Sequence, residues 1–99
     1  MNPKWTRAAM EDLDEYIAEI EQDKPLAAEK WEAKIKAKAE MVARLPQAGR
    51  VVPEFDREDL REVFHASHRI VYLVQEGGVE IIRVFHGARM LRQSDISEA

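Results

Sequence analysis

The sequence predicts a single α+β domain in which two helices form a hairpin and pack on one face of an antiparallel sheet. Up to Pro46, apolar residues recur every three or four positions, which is the period of an amphipathic helix. After Gln47 the pattern changes to turn residues and then to short runs rich in β-branched and aromatic residues, which is typical of strands. With 99 residues the chain can form one core but not two, so we expect one domain over residues 1–99.

The helical half of the chain is divided by its prolines. We expect a short N-terminal strand at Lys4–Thr6 and a first helix over Arg7–Gln22. Asp23-Lys24-Pro25 interrupts the pattern, because proline cannot continue a helix but suits the first turn of the next one. A second helix then runs to Leu45, where Pro46 stops it. Because the break is so short, the two helices should lie antiparallel.

The second half of the chain predicts three antiparallel strands, which are Leu60–Ala66, His68–Gln75 and Val79–His86. Gly77-Gly78 separates the last two and is typical of a two-residue hairpin turn. If these glycines are the turn residues, Arg69 lies opposite His86 at the end of the sheet. The same register places Val71 opposite Val84 on an aliphatic face, which we expect to pack on the helices.

Composition narrows the class of protein. The chain has no cysteine, which excludes disulfides and thiolate chemistry. Its start lacks the apolar run of a signal peptide, and no stretch approaches the roughly 18 apolar residues of a membrane span. We therefore expect a cytoplasmic protein. The net charge of −4 argues against a protein that binds nucleic acid on its own.

The basic side chains of the second half are a candidate binding surface. From Arg50 onward every Lys or Arg position is an arginine, the residue suited to bidentate contact with carboxylates or phosphates. The three histidines, His65, His68 and His86, lack the spacing of a zinc site, and the chain has no nucleophile elbow or phosphate loop. Two interpretations of His86 stay open: part of a cationic rim that binds a partner, or a solvated strand end with a hydrogen-bonded histidine.

Four segments carry a family resemblance, and together they cover nearly the whole chain. They are WTRAAMEDLDEYIAEI, KPLAAEKWEAKIKAKAEMVARLPQAGRVVPE, LREVFHASHRIVYLV and VEIIRVFHGARML. In order and spacing they resemble the RelE/ParE superfamily of toxins from type II toxin–antitoxin systems, and the ParE branch most closely. The family fold is a helical hairpin followed by an antiparallel sheet, as the periodicity predicts.

The resemblance to the ParE branch implies a toxin that poisons DNA gyrase and is neutralised by a cognate antitoxin, without a cofactor, a metal or a membrane partner. Nucleic acid would be contacted only within the target complex. We expect the target-binding surface to include Arg61, Arg69, Arg83, His86 and Arg89. We expect the antitoxin to cover the helical hairpin at Leu13, Tyr16, Ile20, Trp31 and Ile35. In the simpler alternative, Arg89 only forms a surface ion pair with an acid such as Asp95.

The RelE and YoeB branch implies a different activity, ribosome-dependent cleavage of messenger RNA. If this chain is such a nuclease, the resemblance assigns the catalytic roles to Glu54, Arg69 and His86. However, Gly87 follows His86 where that branch has a tyrosine, and no tyrosine occurs after Tyr72. A third alternative is a protein with the toxin fold that has lost toxicity and only binds its antitoxin.

Overall fold

The computed structural model describes residues 2–87 and 89–96 and confirms the α+β class. In chain order the elements are β1 (Lys4–Trp5), α1 (Arg7–Asp23), α2 (Pro25–Arg44), a 3₁₀ turn (Pro46–Ala48), β2 (Arg50–Val51), β3 (Leu60–His65), β4 (His68–Gln75), β5 (Gly78–His86) and α3 (Gln93–Ile96). The five strands form one sheet in the order β1-β5-β4-β3-β2. Strand β1 is parallel to β5, and the other neighbours are antiparallel.

Helix ends follow from local chemistry, and the two prolines at the helix ends act as predicted. The Thr6 side chain caps α1 by accepting a hydrogen bond from the Ala9 amide at 3.0 Å. Pro25 occupies the first turn of α2, where its missing amide costs nothing. Pro46 ends the helical region and begins the 3₁₀ turn. No helix within the described ranges is long and apolar enough to cross a membrane.

Both faces of the sheet are covered. The core between the sheet and the helical hairpin contains Ala9, Leu13, Ile35, Ala39, Val42, Ile70, Tyr72, Val79 and Ile81. The core under the opposite face contains Val52, Leu60, Val71, Ile82, Phe85, Leu91 and Ile96, from the β2–β3 loop, the strands and the C-terminal segment. The expectation that the face carrying Val71 packs on the helices is therefore wrong. Because both faces are apolar, alternation alone does not tell which one the helices cover.

The hairpin between β4 and β5 turns one residue earlier than expected. Gln75 pairs with Gly78, so the turn residues are Glu76 and Gly77. Gly77 has a φ of +89°, a conformation that favours glycine. The sequence pattern allows a turn at Glu76-Gly77 as well as at Gly77-Gly78. The structure forms the first of these two registers.

A β-bulge next to Val71 then shifts the register a second time. Arg69 pairs with Phe85, and His68 pairs with His86. The expectation that Arg69 lies opposite His86 is therefore wrong. Directly opposite residues share a sheet face and successive residues alternate, so Arg69 and His86 point to opposite faces.

The outer edge of β5 beyond β1 is closed by side chains at the start of the helical region. Here the Thr6 hydroxyl donates to the Ile82 carbonyl (2.8 Å), the Val84 amide donates to the Asp12 carboxylate (2.9 Å) and the His86 amide donates to the Tyr16 hydroxyl (3.1 Å). These contacts satisfy backbone groups that a further strand would otherwise have paired. They also fix α1 beside the C-terminal half of β5.

Candidate functional site

Arg69 is the centre of an internal ion-pair network. The residue is 4% exposed. Its Nε donates to Glu62 at 2.6 Å, and its two terminal nitrogens donate to Glu54 at 2.8 and 2.9 Å. One terminal nitrogen also donates to the Arg89 carbonyl at 3.1 Å. The guanidinium is thus directed at acceptors of its own chain rather than at solvent.

The two acids of the network lie in different environments. Glu62 is 1% exposed and accepts a further hydrogen bond from Arg50 at 2.6 Å. Glu54 accepts from the Leu91 amide at 3.0 Å. The hydrogen bonds from Arg69 are the main reason that the pKa of Glu54 is lowered to about 2. The network therefore joins β3, β4, the β2–β3 loop and the C-terminal segment.

His86 lies on the other side of the sheet, in an aromatic cluster. The His68 ring is 5.6 Å from the His86 ring, 4.6 Å from Tyr16 and 5.1 Å from Trp31, measured between centroids. Of the three residues that the nuclease alternative requires, the structure joins Glu54 to Arg69 and separates both from His86. Within the described ranges, no group of three histidine or acidic side chains is placed to hold a metal ion.

Arg83 and Arg89 form a second cluster around Phe85. Their guanidinium carbons lie 4.5 and 4.9 Å from the centre of the Phe85 ring. Arg83 donates to both carboxylate oxygens of Asp12, at 2.7 and 2.9 Å. Arg89 forms an ion pair with Asp95, the partner that the simpler alternative names for this residue. Both guanidinium groups of this cluster therefore have acidic partners within the chain.

A groove runs between α1 and this arginine cluster. Its volume is about 440 Å³, and it is lined by Asp12, Glu15, Tyr16, Ala18, Glu19, Arg83, Phe85 and Arg89. Arg61 lies elsewhere, near the β2 edge, where it donates to the carbonyls of Gly49 and Glu58, both at 2.9 Å. Of the five expected target-binding residues, only Arg83 and Arg89 line the groove.

The five residues expected to face an antitoxin divide into two groups. Leu13 and Ile35 are 6% and 0% exposed and belong to the core under the helical hairpin. Tyr16, Ile20 and Trp31 are partly exposed on the hairpin. The accessible part of this expected surface therefore consists of the latter three side chains.

Sequence reasoning did not identify the acidic partners Glu62 and Asp12. Glu62 lies two residues after the buried Leu60 on β3, so an acid occupies a position where alternation predicts an apolar residue. An acid at such a position requires a buried cation nearby, and that signal could have predicted a partner for Arg69. Asp12 gives no comparable signal, because acids are common on helix surfaces.

Comparisons with known proteins agree with this fold. Residues 4–91 match the family model described as ParE toxin of type II toxin-antitoxin system, parDE. The chain is 35% identical over 86 residues to Toxin RelE2 of Caulobacter vibrioides, with 87% of this chain and 94% of that protein covered. A solved structure described as the chromosomal ParDE TA system from P. aeruginosa has the same fold, with a TM-score of 0.72 and 21% identity over 87% of this chain and 95% of that chain. The chain therefore belongs to the ParE toxin family of type II toxin–antitoxin systems, within the RelE/ParE superfamily, and this membership implies an antitoxin partner.

Proposed function

We propose that this toxin acts in the cytoplasm by binding DNA gyrase, without catalytic chemistry of its own, and that an antitoxin neutralises it by covering the helical hairpin. The family match and the resemblance of RVFHGAR to the ParE branch support this assignment. The groove between α1 and the arginine cluster is the proposed target-facing surface, with Arg83 and Arg89 as its contact residues. His86 is adjacent to it, because its amide donates to the hydroxyl of the lining residue Tyr16.

One observation favours gyrase over messenger RNA as the target of this toxin. Arg69, to which the nuclease alternative assigns a catalytic role, is 4% exposed and bound by Glu54 and Glu62. A phosphate would have to displace two carboxylates from a buried guanidinium, which costs the free energy of leaving buried charges unpaired. His86 cannot assist from the opposite sheet face without a rearrangement of the strand end.

The experiment is a supercoiling assay with relaxed plasmid, purified gyrase and increasing amounts of the purified chain. We expect inhibition of supercoiling by the chain and recovery of supercoiling when the co-expressed antitoxin is added. Unchanged supercoiling at a large molar excess of folded chain over gyrase would reject the proposal. Tight antitoxin binding combined with no inhibition would instead favour the non-toxic alternative.

A second candidate is ribosome-dependent cleavage of messenger RNA. It is favoured by the 35% identity to a protein named Toxin RelE2, because RelE-type toxins are the nuclease branch in the resemblance described above. Its test is primer extension on messenger RNA recovered from a translating extract. Cuts that depend on the chain and recur at codon spacing would support this candidate.

A further inference from the structure

All three histidines of this chain lie in one row across three neighbouring strands. His65 on β3 is directly opposite His68 on β4, and His68 is directly opposite His86 on β5. Directly opposite residues share a sheet face, so the three imidazoles project on the same side. The contacts of His68 with both helices show that this is the side covered by the helical hairpin.

His68, the middle residue of the row, packs between the sheet and the hairpin. Its ring meets Tyr16 of α1 and Trp31 of α2 edge to face, at interplanar angles of 75° and 69°. The Nδ1 atom of His68 is buried, and no atom in the described part of the chain hydrogen-bonds to it. The neighbouring Trp31 Nε1 is buried in the same way. A proton on Nδ1 would therefore add an N–H group that has no acceptor.

The charges around His68 also disfavour its protonated form. The titratable groups that face it are Tyr16 and Glu19 on α1, His65 on β3 and His86 on β5, while α2 contributes the neutral Trp31 ring. Glu19 is the only acid in this set, and it lies on the exposed surface. Burial lowers the pKa of His68, and the adjacent His86 and His65 lower it further, while Glu19 acts in the opposite direction as the smallest of the four contributions.

We propose that the histidine row is a pH-sensitive latch between the sheet and the turn end of the helical hairpin. The neutral His68 imidazole packs against Tyr16 and Trp31, and protonation of His68 releases this end of the hairpin. In the released chain His68 titrates near its ordinary pKa of about 6.5. A group whose pKa is lower when packed binds protons preferentially in the released state, so the latch is closed above about pH 6.5 and opens as the pH falls below it.

The first test uses the unmodified chain. We expect the imidazole Hε1 proton of His68, followed by NMR from pH 8 to pH 5, to titrate with a midpoint below 6.5. Over the same range, amide protection near Tyr16 and Trp31 should fall, and the thermal unfolding midpoint should decrease by several degrees between pH 7.5 and pH 5.5. A His68 midpoint at or above 6.5, as a favourable cation–π contact with Trp31 would produce, would overturn the latch. An unfolding midpoint that does not change with pH in this range would do the same.

The second test compares two variants. His68→Phe keeps a ring between Tyr16 and Trp31 but cannot titrate, so its unfolding midpoint should not change between pH 7.5 and pH 5.5. His65→Gln removes a histidine from the outer end of the row and should retain most of the fall. An equal fall in His68→Phe and the unmodified chain would overturn the latch. If His68→Phe does not fold, the NMR midpoint of His68 in the unmodified chain decides the matter.

Discussion

Arg69 binds Glu54 through two hydrogen bonds, at 2.8 and 2.9 Å, beneath the C-terminal segment. The two residues are 15 positions apart, and the nuclease alternative gives both of them catalytic roles. Their pairing gives them a structural role, because it ties the β2–β3 loop to β4. The consequences of this pairing can be measured separately from toxicity.

Arg69→Ala should destabilise the fold by about 3–5 kcal/mol, because it leaves the buried Glu62 and the largely buried Glu54 without their shared cation. Urea unfolding at pH 7 measures this loss. Arg50→Ala is the matched control, since Arg50 binds the same Glu62 but its side chain is 58% exposed. That change should cost at most about 1 kcal/mol. Equal losses in the two variants would contradict the central position of Arg69.

The lowered pKa of Glu54 predicts that the fold loses stability in acid. Its pKa is lowered from 4.5 to about 2, so the unfolded chain takes up a proton at higher pH than the folded chain does. The contribution is complete above about pH 4.5 and is lost as the pH falls towards 2. Its size is on the order of 3 kcal/mol. Urea unfolding between pH 5 and pH 2.5 should therefore show a shallower decline for Glu54→Gln than for the unmodified chain, and parallel declines would exclude Glu54 as the cause.

Asp12 should contribute more to the stability of the fold than its position on a helix surface suggests. Asp12→Ala removes the acceptor of the Val84 amide and the partner of Arg83, which should cost about 1–3 kcal/mol and accelerate hydrogen exchange at Val84. Asp14→Ala, an exposed acid on the same helix, should change stability by less than about 0.5 kcal/mol. Unchanged exchange at Val84 in Asp12→Ala would show that side-chain closure of the β5 edge is unimportant.

Substitution of Arg89 tests target binding separately from folding. Its side chain is 45% exposed, and its ion pair with Asp95 should contribute about 0–1 kcal/mol, so Arg89→Ala should leave the thermal midpoint nearly unchanged. We expect the same variant to lose growth inhibition in an induction assay at matched protein level. The control is Arg57→Ala, since the Arg57 side chain is comparably exposed (49%) and its ion pair with Asp59 lies away from the groove; this variant should stay toxic. Full toxicity of Arg89→Ala would remove Arg89 from the target-facing surface.

The two long helices and the last three strands could be predicted because prolines and hydrophobic periodicity act locally. Pro25 and Pro46 divide the helices, and Gly77-Gly78 identifies the last hairpin. The register was not predictable, since either glycine can occupy the turn and the bulge next to Val71 has no sequence signature. For the same reason Arg69 was expected beside His86. The site depends on acids distant in the sequence, and no local pattern joins Glu54 or Asp12 to an arginine.

The most direct test of the central claim is to assay double-strand cleavage of plasmid DNA by gyrase and messenger RNA integrity in a translating extract with one preparation of the chain. If the chain is a gyrase poison, linear plasmid accumulates as the chain is added, and the messenger RNA stays intact. Chain-dependent cuts at codon spacing in the messenger RNA, with no linear plasmid, would contradict the account.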